Sequence, residues 1–318
     1  MNMLSNPALR EIQSGRGVSP WRAPPRGEAV ATPEPFCVGI SAADRILRQT
    51  RQVALGQHRS THTHTHRASC AYLLFHRSSV RLRTPTGGEE IATPLHVSMH
   101  APGEIHAREA LNDEGHDCDF IAVAPRLLQR LRMGVAGIYV TNDGLFPSGA
   151  CETTPEIFLA RRRLFSAASR PCTTLNSHQI DAAVERLLAL IFDRASARHR
   201  FLCGQARTIR GRRIQLVEDA KTILAREYQT DLTAMGLAYR LHCSTAYLSR
   251  TFHAATGFRL VDYRHELRLR RAAYLIERAD AEIGEIAVRV GFASHSHFSS
   301  AFHRRFGMTP SEYVNPSA

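Results

Sequence analysis

Beyond residue 211 the apolar residues recur at helical spacing between short polar breaks. The pattern predicts helices over roughly 212–227, 233–241, 244–255, 259–277, 283–290 and 295–306, with a last turn near 309–314. The clearest pair meets at Gly291. Its first helix carries Ile283, Ile286, Ala287 and Val290 on one face, and its second carries Phe298, Ala301, Phe302 and Phe306. Opposite the phenylalanines lie Ser296, Ser299, Ser300, His303 and Arg304, small polar and basic groups that suit a DNA major groove.

The N-terminal half has a different pattern. Ala71–Phe75, Val80–Arg83, His96–Met99 and Asp119–Val123 are short runs separated by turn residues such as those at 84–88, and they predict a small β-barrel or sandwich. Two helices follow, at 156–169 and Ile180–Phe192. The second has Ile180, Val184, Leu187, Leu188 and Ile191 on one stripe, which either covers an edge of the sheet or pairs with a second subunit. Residues 1–35 are rich in Pro, Gly, Ser and Arg without periodicity and predict a disordered extension. The basic, poorly periodic residues 196–211 predict a linker. The expected organisation is therefore a sensing domain at 36–195 and a helical domain at 212–318, an α+β multidomain chain.

The Gly291 hairpin has a twin. Leu248-Ser-Arg-Thr-Phe-His-Ala-Ala-Thr-Gly257 and Tyr263 match Phe298-Ser-Ser-Ala-Phe-His-Arg-Arg-Phe-Gly307 and Tyr313 at a constant offset. A Leu237-Ala238 pair precedes the first copy and an Ile286-Ala287 pair the second, alanine allowing two helices to approach closely. Asp231-Leu-Thr and Ser244 supply N-cap residues. Between the copies, residues 259–277 carry Leu260, Tyr263, Leu267 and Tyr274 on one side and Val261, Leu269, Ala272 and Ile276 mostly on the other. That is the pattern of a connector buried on two faces. Such a connector would set two recognition helices about one DNA turn apart, ~34 Å.

Charge agrees with a polyanionic partner: the net charge is +12, carried almost wholly by arginine, with Lys221 the single lysine. No apolar run approaches the ~18 residues that span a bilayer, and no secretory signal is evident, so a cytoplasmic protein without membrane partners is expected. Seven cysteines without a Cys-x-x-Cys pair fit reduced thiols.

The region 212–314 resembles the AraC/XylS family of bacterial transcription regulators. The residues that carry the likeness are Leu232-Thr, Leu237-Ala238, Ser244, Leu248-Ser-Arg-Thr-Phe252 and Thr-Gly257, then Ile286-Ala287, Gly291-Phe292, His297-Phe298-Ser, Phe302, Phe306-Gly307, Pro310 and Tyr313. The resemblance implies a seven-helix domain with two helix-turn-helix motifs, double-stranded promoter DNA as partner, and contact with RNA polymerase. The DNA-facing candidates are Thr245, Ala246, Ser249, Arg250 and His253 in the first copy. In the second they are His295, Ser296, His297, Ser299, Ser300, Arg304 and Arg305. The family often has arginine where Ser300 stands, so Arg250 becomes the first candidate for guanine contact, and Arg304 and Arg305 for phosphates.

Upstream, Gly56, the run Thr61-His-Thr-His-Thr-His66 and Pro102-Gly-Glu-Ile-His106 resemble the cupin barrel. By that resemblance the N-terminal domain is a cupin-like β-barrel that binds a small-molecule effector near His62, His64, Tyr72 and His106 and forms a homodimer. No cofactor is required. His62, His64 and His106 are candidate ligands for a metal such as zinc, copper or iron, although the cupin glutamate is absent. The favoured reading is a ligand-responsive activator without enzymatic activity. Its rivals are a metal-dependent cupin sensor or enzyme fused to a DNA-binding domain, and a general nucleic-acid-coating protein.

Overall fold

The computed structural model describes residues 44–61, 63–83, 89–112, 115–128, 149–170, 175–203, 207–279 and 281–314. The predicted extension at 1–35, the turn at 84–88 and His62 lie outside the described residues.

Ten strands form two antiparallel sheets among those residues. They are β1 (Asp44–Gln49), β2 (Val53–Ser60), β3 (His64–Arg67), β4 (Ala71–His76), β5 (Val80–Arg83), β6 (Glu89–Ala92), β7 (His96–His100), β8 (Ile105–Ala110), β9 (His116–Val123) and β10 (Gly149–Glu152). One sheet runs β1-β2-β9-β4-β7-β10, the other β3-β8-β5-β6. The two-residue alternation of a strand gives the larger sheet two chemically distinct faces. On β9, Ile121 and Val123 join an outer core with α1 (Pro155–Ser169) and α2 (Ser177–Cys203). Cys118, Phe120 and Ala122 point the other way and join Ala54, Tyr72 and Leu74.

α1 starts where Thr154 accepts a hydrogen bond from the Ile157 amide, with Pro155 in its first turn. The predicted stripe of α2 is buried within its own chain: Ile180, Val184, Leu187, Leu188 and Ile191 all pack on the outer face of the sheet. That stripe is thereby occupied and does not offer a surface to a second subunit.

The helical half comprises α3 (Arg207–Glu227), α4 (Ala234–Arg240), α5 (Thr245–Thr256), α6 (Leu260–Arg278), α7 (Ile283–Arg289), α8 (His295–Phe306) and α9 (Pro310–Val314). The segment predicted as a linker, 196–211, is helical wherever it is described, since α2 continues to Cys203 and α3 begins at Arg207. Ala, Leu and Arg favour helix without any apolar stripe, so periodicity alone does not register it.

α6 departs furthest from the two-sided expectation. Apart from Val261, which is exposed in the first turn, its apolar residues are buried, and so are Glu266, Arg268, Arg270 and Arg271. A third side is covered by the β-rich half. Leu95 and Phe158 join the helical core, with Phe158 edge-on to Tyr274 and stacked on Phe306, both at 5.4 Å. Around that apolar contact lies a buried ionic cluster. Asp119 of β9 accepts from Arg77 at 2.7 Å and from Arg161 of α1. Arg161 also donates to Glu277 of α6 at 2.6 Å, and the Tyr313 hydroxyl donates to the same carboxylate at 2.7 Å. Burial alone would raise the Asp119 carboxyl's pKa, but the two guanidiniums outweigh it and hold the group below its ordinary range.

Candidate nucleic-acid interface and interior histidine site

α5 and α8 are built alike. Ser244 and Ser294 cap them by accepting from the amides of Tyr247 and His297, each at 3.2 Å. Gly257 (φ 74°) and Gly307 (φ 73°) end them in the left-handed conformation. Leu248 and Phe252 anchor the first helix in the core; Phe298, Ala301, Phe302 and Phe306 anchor the second. The helices before them come close because Ala238 and Ala287 are buried at the contact. The turn between α7 and α8 requires glycine on two counts. Gly291 has φ 94°, and a Cβ there would stand 2.4 Å from the Gln229 carbonyl oxygen. In the first copy His242 takes the corresponding left-handed turn at φ 51°.

With the apolar faces anchored, Thr245, Ala246, Arg250 and His253 are exposed on α5, and Ser249 is half-buried. On α8 His295, Ser296, His297, Ser300 and Arg304 are exposed and Ser299 is half-buried. Two candidates are less free than the sequence suggested. His297 lies edge-on to Phe292 and to His265. Arg305, expected at the phosphates, is instead turned toward α6, with Nε 2.5 Å from Glu266 Oε2. Its charge is met within the protein because the last turn of α8 lies against α6. Arg250 and Ser300 occupy equivalent exposed positions, so the two recognition faces differ in charge at that point.

The second site is inside the β-rich half. His66 lies cross-strand from His106, and His64 from Arg108, on β3 and β8. Of the predicted effector and metal residues, Tyr72 and His106 are placed in this interior; the side chain of His64, like all of His62, lies outside the description. His66 contacts both Tyr72 and His106 at 5.6 Å between ring centroids. His100 stacks on His106 at 3.8 Å. Beyond them His76 hydrogen-bonds Ser98 at 2.5 Å, and His116 lies between His76 and His58. Gly56 of the cupin-like motif has a steric role here: a Cβ would meet the Phe120 ring at 2.3 Å.

Sequence reasoning missed His58, His76, His100, His116 and Arg108. The signal was parity: His76 follows Tyr72 and Leu74 at two-residue spacing on the strand, so all three share the inward face. Burial and the Arg108 charge hold the His76 imidazole well below its ordinary 6.5, and burial lowers His100 despite its hydrogen bond to Glu104. Both are neutral at physiological pH.

Among the described residues, His100, Glu104 and His106 have ligand atoms within 4.8 Å of one another. This set differs from the predicted His62, His64 and His106, and it fits a metal poorly. Arg108 donates to His106 Nε2 from Nε at 3.1 Å and from Nη2 at 2.9 Å. A divalent cation beside that guanidinium would meet strong repulsion at low dielectric.

The profile of a helix-turn-helix domain family matches residues 237–315. The Msm operon regulatory protein of Streptococcus mutans is 26% identical over 174 residues, covering 54% of this chain and 60% of that protein. The HTH-type transcriptional activator RhaR of Salmonella dublin is 31% identical over 98 residues, covering 31% of this chain and 35% of that one. The chain thus matches less than two thirds of either curated relative's length. A transcriptional regulator structure from Chromobacterium violaceum, described as an AraC-type DNA-binding-domain protein, is 30% identical across 31% of this chain and 89% of its own, with a TM-score of 0.30. No helix among the described residues is long and apolar enough to cross a membrane.

Proposed function

Because the C-terminal region of the chain belongs to the AraC-type helix-turn-helix domains, we propose that the protein is an effector-responsive transcription factor, acting as an activator on promoter DNA. The observation that carries the reading is the doubled recognition unit. α5 and α8 have the same serine cap, the same left-handed glycine stop and the same outward polar face, and α6 joins them as one buried element. Two such faces held by a shared connector suit successive major grooves on one side of a duplex. The relatives carry the names of an operon regulator and a transcriptional activator, which supports the same reading. A cytoplasmic, nucleoid-associated homodimer that contacts RNA polymerase completes the proposal, with 36–195 as sensing domain and 212–318 as DNA-binding domain. The cupin-like interior is the effector site.

In this scheme Arg250 reads a base edge from α5, while Arg304 meets phosphate from α8. A gel-shift titration on a selected operator tests the assignment. Arg250→Ala should weaken specific binding by about 1–3 kcal/mol, and should relax base preference at one position. Arg304→Ala should weaken all sequences equally and flatten the salt slope by about one. Unchanged affinity and preference in Arg250→Ala would remove it from the interface. Equal affinity for shuffled DNA would favour a non-specific coating protein.

A further inference from the structure

Arg108 is a cation in the wrong place for a structural residue. It is only 4% exposed, inside the β-rich half, and its hydrogen bonds go to a neutral ring nitrogen of His106. No ion pair joins it to any carboxylate among the described residues. Three other buried guanidiniums are held by buried or half-buried carboxylates: Arg77 and Arg161 share Asp119, and Arg270 has Glu266 at 2.8 Å. Desolvation disfavours the charged form of Arg108 and outweighs the pull of Asp44, a carboxylate already paired with His58 at 2.7 Å. A buried, unpaired charge is costly and persists where something else compensates it.

The surroundings identify the chemistry of that compensation. His76 Nδ1 and His100 Nε2, on the two strands facing Arg108, are buried ring nitrogens without a hydrogen-bond partner. His100 Nδ1 faces a carboxylate oxygen of Glu104 at 3.0 Å and must donate to it, which leaves Nε2 of the neutral ring as an acceptor. Tyr72, Leu74 and Phe120 supply apolar and aromatic wall. A single guanidinium matches a single negative charge, and with the Nε–Nη2 edge given to His106, the Nη1–Nη2 edge matches a carboxylate through two parallel hydrogen bonds. We propose that the effector is a small organic monocarboxylate bound by Arg108, with a hydroxyl or other donor directed to His100. The inference rests on reading the interior as the effector site, and it names the ligand class and the residue that selects it.

Thermal unfolding of the full chain, without DNA, tests it. The probes are acetate, lactate, benzoate and salicylate at millimolar concentration, with benzamide and benzyl alcohol as neutral counterparts and Zn²⁺ as the competing chemistry. At least one carboxylate should raise the midpoint by more than about 3 °C, and the neutral compounds should not. Lactate should exceed acetate, and salicylate should exceed benzoate, wherever the shift occurs. Arg108→Met should abolish the shift, and without ligand it should melt at or above the wild-type midpoint, since an uncompensated charge has been removed. Arg108→Lys, which keeps the charge but loses the fork, should retain a smaller shift and serves as the readout if the methionine variant does not fold. The proposal is overturned by the absence of any carboxylate shift, by a shift that survives in both variants, by an Arg108→Met midpoint well below wild type in a folded protein, or by a Zn²⁺ shift that disappears in His100→Ala. DNA affinity measured on the same preparations separates the outcomes. Retained operator binding with no carboxylate response defeats the ligand assignment alone, whereas loss of specific DNA binding in the wild type defeats the regulator reading.

Discussion

Glu277→Ala is the substitution that best tests how the two halves are joined. The carboxylate sits on the last turn of α6, with its side chain 16% exposed. It accepts from Arg161 at 2.6 Å and from the Tyr313 hydroxyl at 2.7 Å, and it lies 3.7 Å from Arg77. Truncation would leave Arg77 and Arg161, two buried cations, sharing Asp119 alone, and would strand a buried phenol. Removing one partner of a buried ionic cluster typically costs 3–5 kcal/mol, and partial exposure places this case near the lower end, about 3 kcal/mol. At roughly 2–4 °C per kcal/mol, the midpoint should fall by about 6–12 °C in calorimetry. Because the cluster spans β9, α1 and α6, the single endotherm should also broaden or split as the halves lose their coupling. Glu227→Ala is the control. Its pair with Arg240 has good geometry, at 2.6 and 2.7 Å, but lies at the surface, where such pairs contribute about 1 kcal/mol or less. Glu277→Gln keeps an acceptor for Tyr313 and should fall between the two. If Glu277→Ala lowers the midpoint no more than Glu227→Ala, the cluster does not hold the halves together.

Gly291→Ala and Gly307→Ala should separate backbone strain from steric conflict. Both positions have positive φ, so each substitution costs about 1–2 kcal/mol, but only Gly291 adds a Cβ 2.4 Å from a backbone oxygen. Urea midpoints should show a clearly larger loss for Gly291→Ala, and equal losses would refute the packing of the second turn against Gln229. Phe302→Ala removes a fully buried ring that touches Phe298, Phe306 and Tyr313. It should lower stability by about 3–5 kcal/mol and weaken operator binding with it. His76 predicts acid sensitivity. Its folded pKa lies well below the ordinary 6.5 of the unfolded chain, so protonation favours unfolding. Its contribution is complete above about pH 6.5 and is lost as pH falls toward the folded value, at about 1.4 kcal/mol per pH unit. His76→Gln should flatten the urea midpoint between pH 7.5 and 5.5; a profile parallel to wild type would refute this source.

The helical half was legible in the sequence because local rules govern it. Serine caps, αL glycines and three-four phenylalanine spacing each act within a dozen residues, and the repeat states them twice. The strands at Ala71, Val80, His96 and Asp119 were legible for the same reason. The interior site was only half legible. Tyr72 stood in a predicted strand and His106 in a cupin-like motif, but His58, His76, His100, His116 and Arg108 come from five strands spread over 59 residues of chain and meet only through pairing and register. What the tertiary structure alone decided is the meaning of the charges. Arginine surplus reads from composition as a surface for DNA, yet Arg77, Arg161, Arg270 and Arg271 are buried between the halves, and Arg305 is committed to Glu266. A charge placed by sequence has a sign; whether it faces solvent, a phosphate or a carboxylate depends on which element folds over it, and that is set by contacts between residues far apart in the chain.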